Sequence, residues 1–236
     1  TFSKKKSQIW LHSKYNLSAQ TGLSIKLGPQ VFQLGKTFTK KQNFMARKSK
    51  YNLVWMDLEM TGLDVEKEVI IEVATLITDS ELNILEEGPC IAIHQRDENL
   101  DKMDDWNTKH HNASGLVKRV RESLIDQKEA EKRTLEFINK YCPKGTSPLC
   151  GNSINQDRKF LGKYMQDLHN HLHYRSIDVT SVKELVNRWY PDGPKFPKKS
   201  NEHMALTDIR ESLKELVFYR QHYFIGREAS VAQPIT

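Results

Sequence analysis

The stretch VWMDLEMTGLD, Val54 to Asp64, sets two carboxylates one residue apart in an otherwise apolar run. Tyr51, Leu53, Val54, Trp55, Met56 and Leu58 are aromatic, β-branched or aliphatic, and Thr61-Gly62 supplies a break, so residues 51–58 read as a strand. Side chains alternate with period two on a strand, and Asp57 and Glu59 therefore share a face. Two like charges side by side on a buried strand are costly unless something neutralises them. The identity of that neutralising partner is the question on which fold and function turn.

Working outward, residues 69–78 (VIIEVATLIT) and roughly 82–93 read as two further strands, the latter interrupted by Gly88-Pro89. Short connections make the three an antiparallel meander. Helical periodicity then takes over. Residues 128–141 turn Ala130, Leu135 and Ile138 to one side, and residues 157–170 carry Phe160, Leu161, Tyr164 and Leu168 at three- and four-residue spacing. A short apolar segment, Tyr174 to Val179, precedes a helix over about 180–189. Beyond a Pro/Gly-rich loop, the last helix has a core stripe of Leu206, Ile209, Leu213 and Leu216. A meander followed by helices and short strands is an α/β sheet covered by helices.

Composition bounds the function. The 236-residue chain is long enough for one domain with a full core plus an appendage, and no run approaches the ~20 apolar residues of a membrane span. Cys90, Cys142 and Cys150 are odd in number and far apart, which argues against a disulfide framework or zinc site and for a reducing compartment. Of the 36 basic and 30 acidic residues, residues 1–50 hold eleven basic and no acidic ones, which leaves residues 51–236 at a net charge of −5. An acidic domain thus follows a basic, hydroxyl-rich leader. That leader composition is that of a mitochondrial transit segment, ahead of a solvated tail or a nucleic-acid-binding arm. Initiation at Met45 would give a leaderless cytoplasmic or nuclear form.

Two further acids occupy marked positions. Asp157 follows a Gly151-Asn152 turn at the start of an amphipathic helix, and Asp208 lies on the last helix with His203 five residues before it. Four carboxylates converging from a strand and two helices suit hard divalent cations such as Mg²⁺, and two such ions can serve phosphodiester cleavage. Taken singly, Asp157 is as well explained as an acid favoured by a helix N-terminus, Asp208 as a helix-surface acid, and His203 as one of nine histidines. Glu72 and Asp178, also in strand-like segments, form a rival set.

The blocks DLEMTGLD, GNSINQD and HMALTD, in that order, resemble the DEDDh exonucleases. The segments HYRSIDVTSVKELVNRWYP and RESLKELVFYR are similar to the oligoribonuclease branch of that family, and the resemblance covers about residues 51–224, with 225–236 a C-terminal tail. It implies a single RNase H-like domain, a mixed five-stranded sheet flanked by helices. It also implies that Asp57, Glu59, Asp157 and Asp208 hold two Mg²⁺ or Mn²⁺ ions and that His203 is the general base, a role suited to a group titrating near neutrality. A helical pair five residues apart would not share a face, which places His203 in the loop before the helix.

The resemblance further implies a substrate. Leu63 matches a leucine that wedges between two bases. Tyr174 matches a tyrosine supplied by the opposing subunit of a homodimer, Arg175 an arginine on the 5′ phosphate, and Ser153 and Thr180 hydroxyls capping that phosphate. Core packing is the commoner fate of a leucine or tyrosine. The acidic domain has no dense basic run after Lys50, so it is poorly suited to tracking long nucleic acid. A small pocket for the ends of a very short oligonucleotide fits better, and the resemblance implies that short RNA oligonucleotides, dinucleotides above all, are degraded 3′→5′ to 5′-mononucleotides. The last block departs from the family, which often reads His-Arg-Ala-Leu-Asp-Asp, by placing Met204 and Thr207 where an arginine and an aspartate stand. Two other functions compete: a DEDDh exonuclease for longer RNA or DNA, and a catalytically silent nucleic-acid-binding module with the leader as its arm.

Overall fold

Strand β1 (Leu53–Met60) is the centre of the sheet in a computed structural model that describes residues 48–197, 204–224 and 226. Most of the basic leader, His203 and nearly all of the C-terminal tail lie outside the described residues. The other strands are β2 (Ile70–Thr78), β3 (Ile84–Ala92), β4 (Leu149–Gly151) and β5 (Ser176–Asp178), in the order β3-β2-β1-β4-β5. The first three pair antiparallel, as the meander predicts, whereas β4 and β5 join β1 in parallel. Helices α1 (Asp97–Leu100), α2 (Asp105–Ala113), α3 (Leu116–Glu122) and α4 (Gln127–Tyr141) connect β3 to β4. Helices α5 (Asn155–Tyr164) and α6 (Gln166–His171) lead to β5, and α7 (Val179–Trp189) and α8 (Ala205–Tyr223) close the chain. Among the described residues no helix is long and apolar enough to cross a membrane.

The two faces of β1 have separate tasks. Val54, Met56 and Leu58 enter a core with Ile138 of α4, Phe160 and Leu161 of α5 and Leu168 of α6. Trp55 enters a second core with Val179 and Val186 of α7 and Ala205, Ile209 and Leu213 of α8. Asp57 and Glu59 continue the Trp55 face, so the strand's own alternation turns both carboxylates toward the α8 side. Opposite them, β2 is buried along its whole length. Its register with β1 shifts between Glu59 and Met60, an irregularity that re-aims side chains where the strand leaves the sheet.

One sequence expectation is corrected, and several elements carry no sequence signal. The helix expected over 157–170 is two, α5 and α6, broken at Met165 (φ −135°, ψ 65°). Partners from α4 take up the backbone groups the break releases: Gln127 Nε2 donates to the Tyr164 carbonyl at 2.7 Å, and Glu131 Oε1 accepts the Leu168 N–H at 3.0 Å. Helices α1–α3 and the three-residue β4 went unread. Leu100, Leu116, Val117 and Val120 of that missed helical region make a small core of their own against Ile71.

Candidate active site

The C-terminal half of β1, the start of α5 and the first turn of α8 meet at one place. Asp57, Glu59 and Asp208 offer carboxylate oxygens that all lie within 4.8 Å of one another. Asp208 reaches this point because Ala205, Ile209 and Ser212, which follow the same helical stripe, are buried against the sheet. Asp157 reaches the end of β1 from the first turn of α5. Strand β4 ends at Gly151, where an added methyl group would sit 3.0 Å from the Met56 carbonyl oxygen and 2.8 Å from Ile154 Cδ1, so glycine lets β4 and β1 approach closely here without displacing either. Beyond that end the Leu58 N–H has no ladder partner, and Asp157 Oδ1 accepts it at 2.9 Å.

The electrostatics record crowded negative charge. Burial, followed by the charges of Asp208, Glu72 and Asp157, pushes the Glu59 carboxyl up to about 8, with Arg119 opposing. Burial likewise holds Asp157 well above the usual carboxylate range. Glu72 stands directly across β2 from Glu59. Like charges in that position are unfavourable, and the Arg119 guanidinium of α3 offsets them by pairing with Glu72 at 2.8 Å. Carboxylates forced this close, with hard oxygen donors converging, match the demands of a divalent cation. The chemistry of the donor set therefore fits a metal site.

Of the rival acids, Glu72 is held by Arg119, while Asp178 caps α7 through the Thr180 N–H (2.9 Å) and accepts the Ser153 N–H (3.0 Å). Leu63 and Tyr174 are not core residues: they are 73% and 74% exposed. The Leu63 carbonyl accepts a hydrogen bond from Gln156, the neighbour of Asp157, which ties the leucine to the carboxylate cluster. Ser153 and Thr180 are brought together, with hydroxyls 3.2 Å apart. Ser153 adopts φ +50°, a conformation uncommon outside glycine that persists only where the surroundings hold it.

Tyr174 and Arg175 lie elsewhere. They precede β5, whereas Ser153 and Thr180 stand at its far end, since Leu149 pairs with Ser176 and Gly151 with Asp178. Met204 and Thr207, at the departure from the family pattern, line a groove beside the cluster with Arg119 and Arg210.

Sequence reasoning missed three supports of the site. Buried Glu215 of α8 accepts from Asn152 Nδ2 (3.2 Å) and the Tyr219 hydroxyl (2.8 Å) and pairs with Lys183 (3.2 Å), so it steadies the turn that carries Ser153. Buried His111 of α2 lies 3.0 Å from the Met60 carbonyl at the exit of β1. The third is Arg119. An acid inside the Leu213–Leu216 stripe was the one visible signal; the other two depend on partners remote in sequence.

A mixed 3-2-1-4-5 sheet with carboxylates gathered on its central strand and a covering helix is the framework of an exonuclease. The family model described as exonuclease (RNase T) matches residues 54–216. Oligoribonuclease of Photorhabdus laumondii is 57% identical over 176 residues, 75% of this chain and 97% of that protein, and oligoribonuclease of Pseudomonas savastanoi is 60% identical over 175 residues, 74% and 97%. The chain belongs to the oligoribonucleases of the exonuclease family, and it is an enzyme. Among solved structures, exonuclease I superposes with a TM-score of 0.58 at 14% identity over 73% of this chain, and Escherichia coli exonuclease I with a dT13 oligonucleotide gives 0.59. At that identity the likeness is one of fold, and this chain spans about two fifths of exonuclease I (41%).

Proposed function

We propose that this protein is a metal-dependent 3′→5′ exoribonuclease that degrades short oligoribonucleotides, dinucleotides above all, to 5′-mononucleotides. The observation that carries the reading is the convergence of Asp57, Glu59 and Asp208 oxygens within 4.8 Å on the domain that matches the oligoribonucleases over almost their full length. Asp57, Glu59, Asp157 and Asp208 would hold two Mg²⁺ or Mn²⁺ ions. When bound, such ions offset the carboxylate charge, polarise the attacking water and stabilise the leaving oxygen. His203 would accept the proton of the attacking water. Leu63, exposed beside the cluster, would wedge between the bases of a dinucleotide. The Ser153 and Thr180 hydroxyls, next to the N-terminus of α7, would receive its 5′ phosphate.

Tyr174 and Arg175 precede β5, at the opposite end of that strand from Ser153 and Thr180, which supports a cap completed by a second chain. The protein acts in our reading as a homodimer in which the partner's copies of these two residues close the site. A longer 5′ extension would collide with such a cap, which gives the preference for short chains. The basic leader would direct the protein to mitochondria, and its composition supports this; residues 1–50 fused to a fluorescent protein would stain mitochondria, and diffuse cytosolic signal would reject the assignment.

The test of the enzyme is turnover of 5′-phosphorylated diribonucleotides and a length series up to ten residues, with Mg²⁺ and with chelator. Turnover should require the metal and fall steeply with length. Rates that hold steady or rise with length would instead favour an exonuclease for longer nucleic acid.

A further inference from the structure

Arg158 follows Asp157 on α5, and its guanidinium reaches across to the segment that leads into β5. Nε donates to the Ser176 hydroxyl at 3.0 Å, and Nη2 donates to the carbonyls of His173 (2.8 Å) and Arg175 (3.2 Å). One side chain thus holds three acceptors spread over four residues, a task the planar arginine fork suits and a lysine does not. The held segment carries Tyr174 and Arg175. Within it the Arg175 N–H donates to His173 Nδ1 (3.1 Å), Arg175 Nε donates to the Tyr174 hydroxyl (2.9 Å), and the Arg175 guanidinium lies over the Tyr174 ring at 5.2 Å. Tyr174 is exposed, so core packing does not orient it. Its direction follows from the backbone that Arg158 grips, which the Ser147 carbonyl also holds by accepting the His173 N–H at 2.8 Å, and from the His173 ring 4.5 Å from its own.

We propose that Arg158 is a positioning residue that acts in trans: it fixes the Tyr174–Arg175 arm of its own chain for use by the partner's active site. The proposal rests on the homodimer reading above. Arg158 sits beside a carboxylate of one site while the arm it orients serves the other, so each α5 is tied to both sites of the dimer. Charge-assisted hydrogen bonds of this kind are strong enough to hold an exposed segment.

The test uses full-length dimers with differently tagged subunits. The Arg158→Gln homodimer should show a KM for a 5′-phosphorylated diribonucleotide raised about tenfold with kcat changed much less, the pattern of lost substrate binding, and Arg158→Lys should fall between it and wild type. In a heterodimer of Arg158→Gln with Asp57→Ala, the site retaining Asp57 receives its arm from a chain with intact Arg158. That site should recover the wild-type KM. Ser176→Ala, which removes one acceptor from the arm and leaves α5 untouched, should raise KM in the homodimer and recover in the same way, even if Arg158→Gln folds poorly. A Tyr174→Ala/Asp57→Ala heterodimer runs alongside. If that pair recovers and the Arg158→Gln pair does not, Arg158 acts within its own chain and the proposal is overturned. If neither recovers, the shared-site reading itself is wrong. A wild-type KM in the Arg158→Gln homodimer also overturns the proposal.

Discussion

Two regions of the proposed site, the carboxylate cluster and the Tyr174–Arg175 arm, are built by opposite means. At the exit of β1, three carboxylates are fixed by elements that pack as core: Trp55 and Ile209 bury the strand and helix that carry Asp57, Glu59 and Asp208. At the entrance to β5, Tyr174 and Arg175 stand exposed and are placed by hydrogen bonds and by ring contacts with each other and with His173. The first region concentrates charge that the fold itself disfavours, as the raised Glu59 carboxyl records. The second carries no such conflict. On the proposed function, a site that holds metal needs rigidity and tolerates repulsion in its empty state, whereas a clamp on substrate needs reach. Substitutions in the first region should therefore remove catalysis, and those in the second should weaken binding.

The largest effect belongs to the carboxylates. Asp57→Ala should lower turnover by at least ~10³-fold, because on the proposed mechanism the site would lose a ligand for ions that stabilise several kcal/mol of developing charge. Its thermal midpoint without metal should not fall, since the change removes one of several crowded negative charges. Both follow from paired activity and melting measurements, and appreciable activity in this variant would break the assignment. His203→Asn comes next, with turnover lower by roughly a hundredfold or more and substrate affinity retained. Unchanged turnover would move the base elsewhere.

The clamp gives a smaller and different signature. Tyr174→Ala and Leu63→Ala should each raise KM for a diribonucleotide by roughly five- to a hundredfold, the scale of one lost stacking contact at ~1–3 kcal/mol, with kcat less affected. A fall in kcat alone would erase the contrast between the two regions.

The same contrast governs what could be read in the sequence. Period-two alternation on β1 and the stripe around Asp208 announce the first region, because packing imposes periodicity and periodicity survives in sequence. The second region hangs on β4 and β5, three residues each, too short to display any period. Helices α1–α3 were illegible for a related reason: α2 begins with Asp104 capping the Asn107 N–H and buries only His111, so its surface reads as polar loop. Charged residues in the interior were the hardest. Glu72 and Glu215 are tolerated there through Arg119 and Lys183, 47 and 32 positions away, and no local pattern reports such pairings.

The smallest expected effect sharpens the account of the carboxylate cluster and concerns stability without metal. Burial and the neighbouring Asp208, Glu72 and Asp157 raise Glu59 from 4.5 to about 8, with Arg119 opposing. Between those values the unfolded chain has released a proton that the folded chain keeps. Stability is then complete below about pH 4.5 and declines as pH rises through about 8. Because Glu59 is only partly enclosed, the contribution is on the order of 2 kcal/mol, roughly 4–8 °C in melting temperature for a domain of this size. In chelator, the midpoint should therefore fall between pH 5 and 8.5. Glu59→Gln should flatten most of that fall, and the raised Asp157 carboxyl should supply a remainder of the same sign. Adding Mg²⁺ or Mn²⁺ at pH 8 should restore the midpoint of the native protein, because ionised carboxylates are the form that binds a cation and binding favours the folded state. Glu59→Gln should respond much less. A midpoint that rises with pH in chelator, or one that metal leaves unmoved, would mean that the acids on β1 carry no unresolved repulsion and that cation binding does not relieve it.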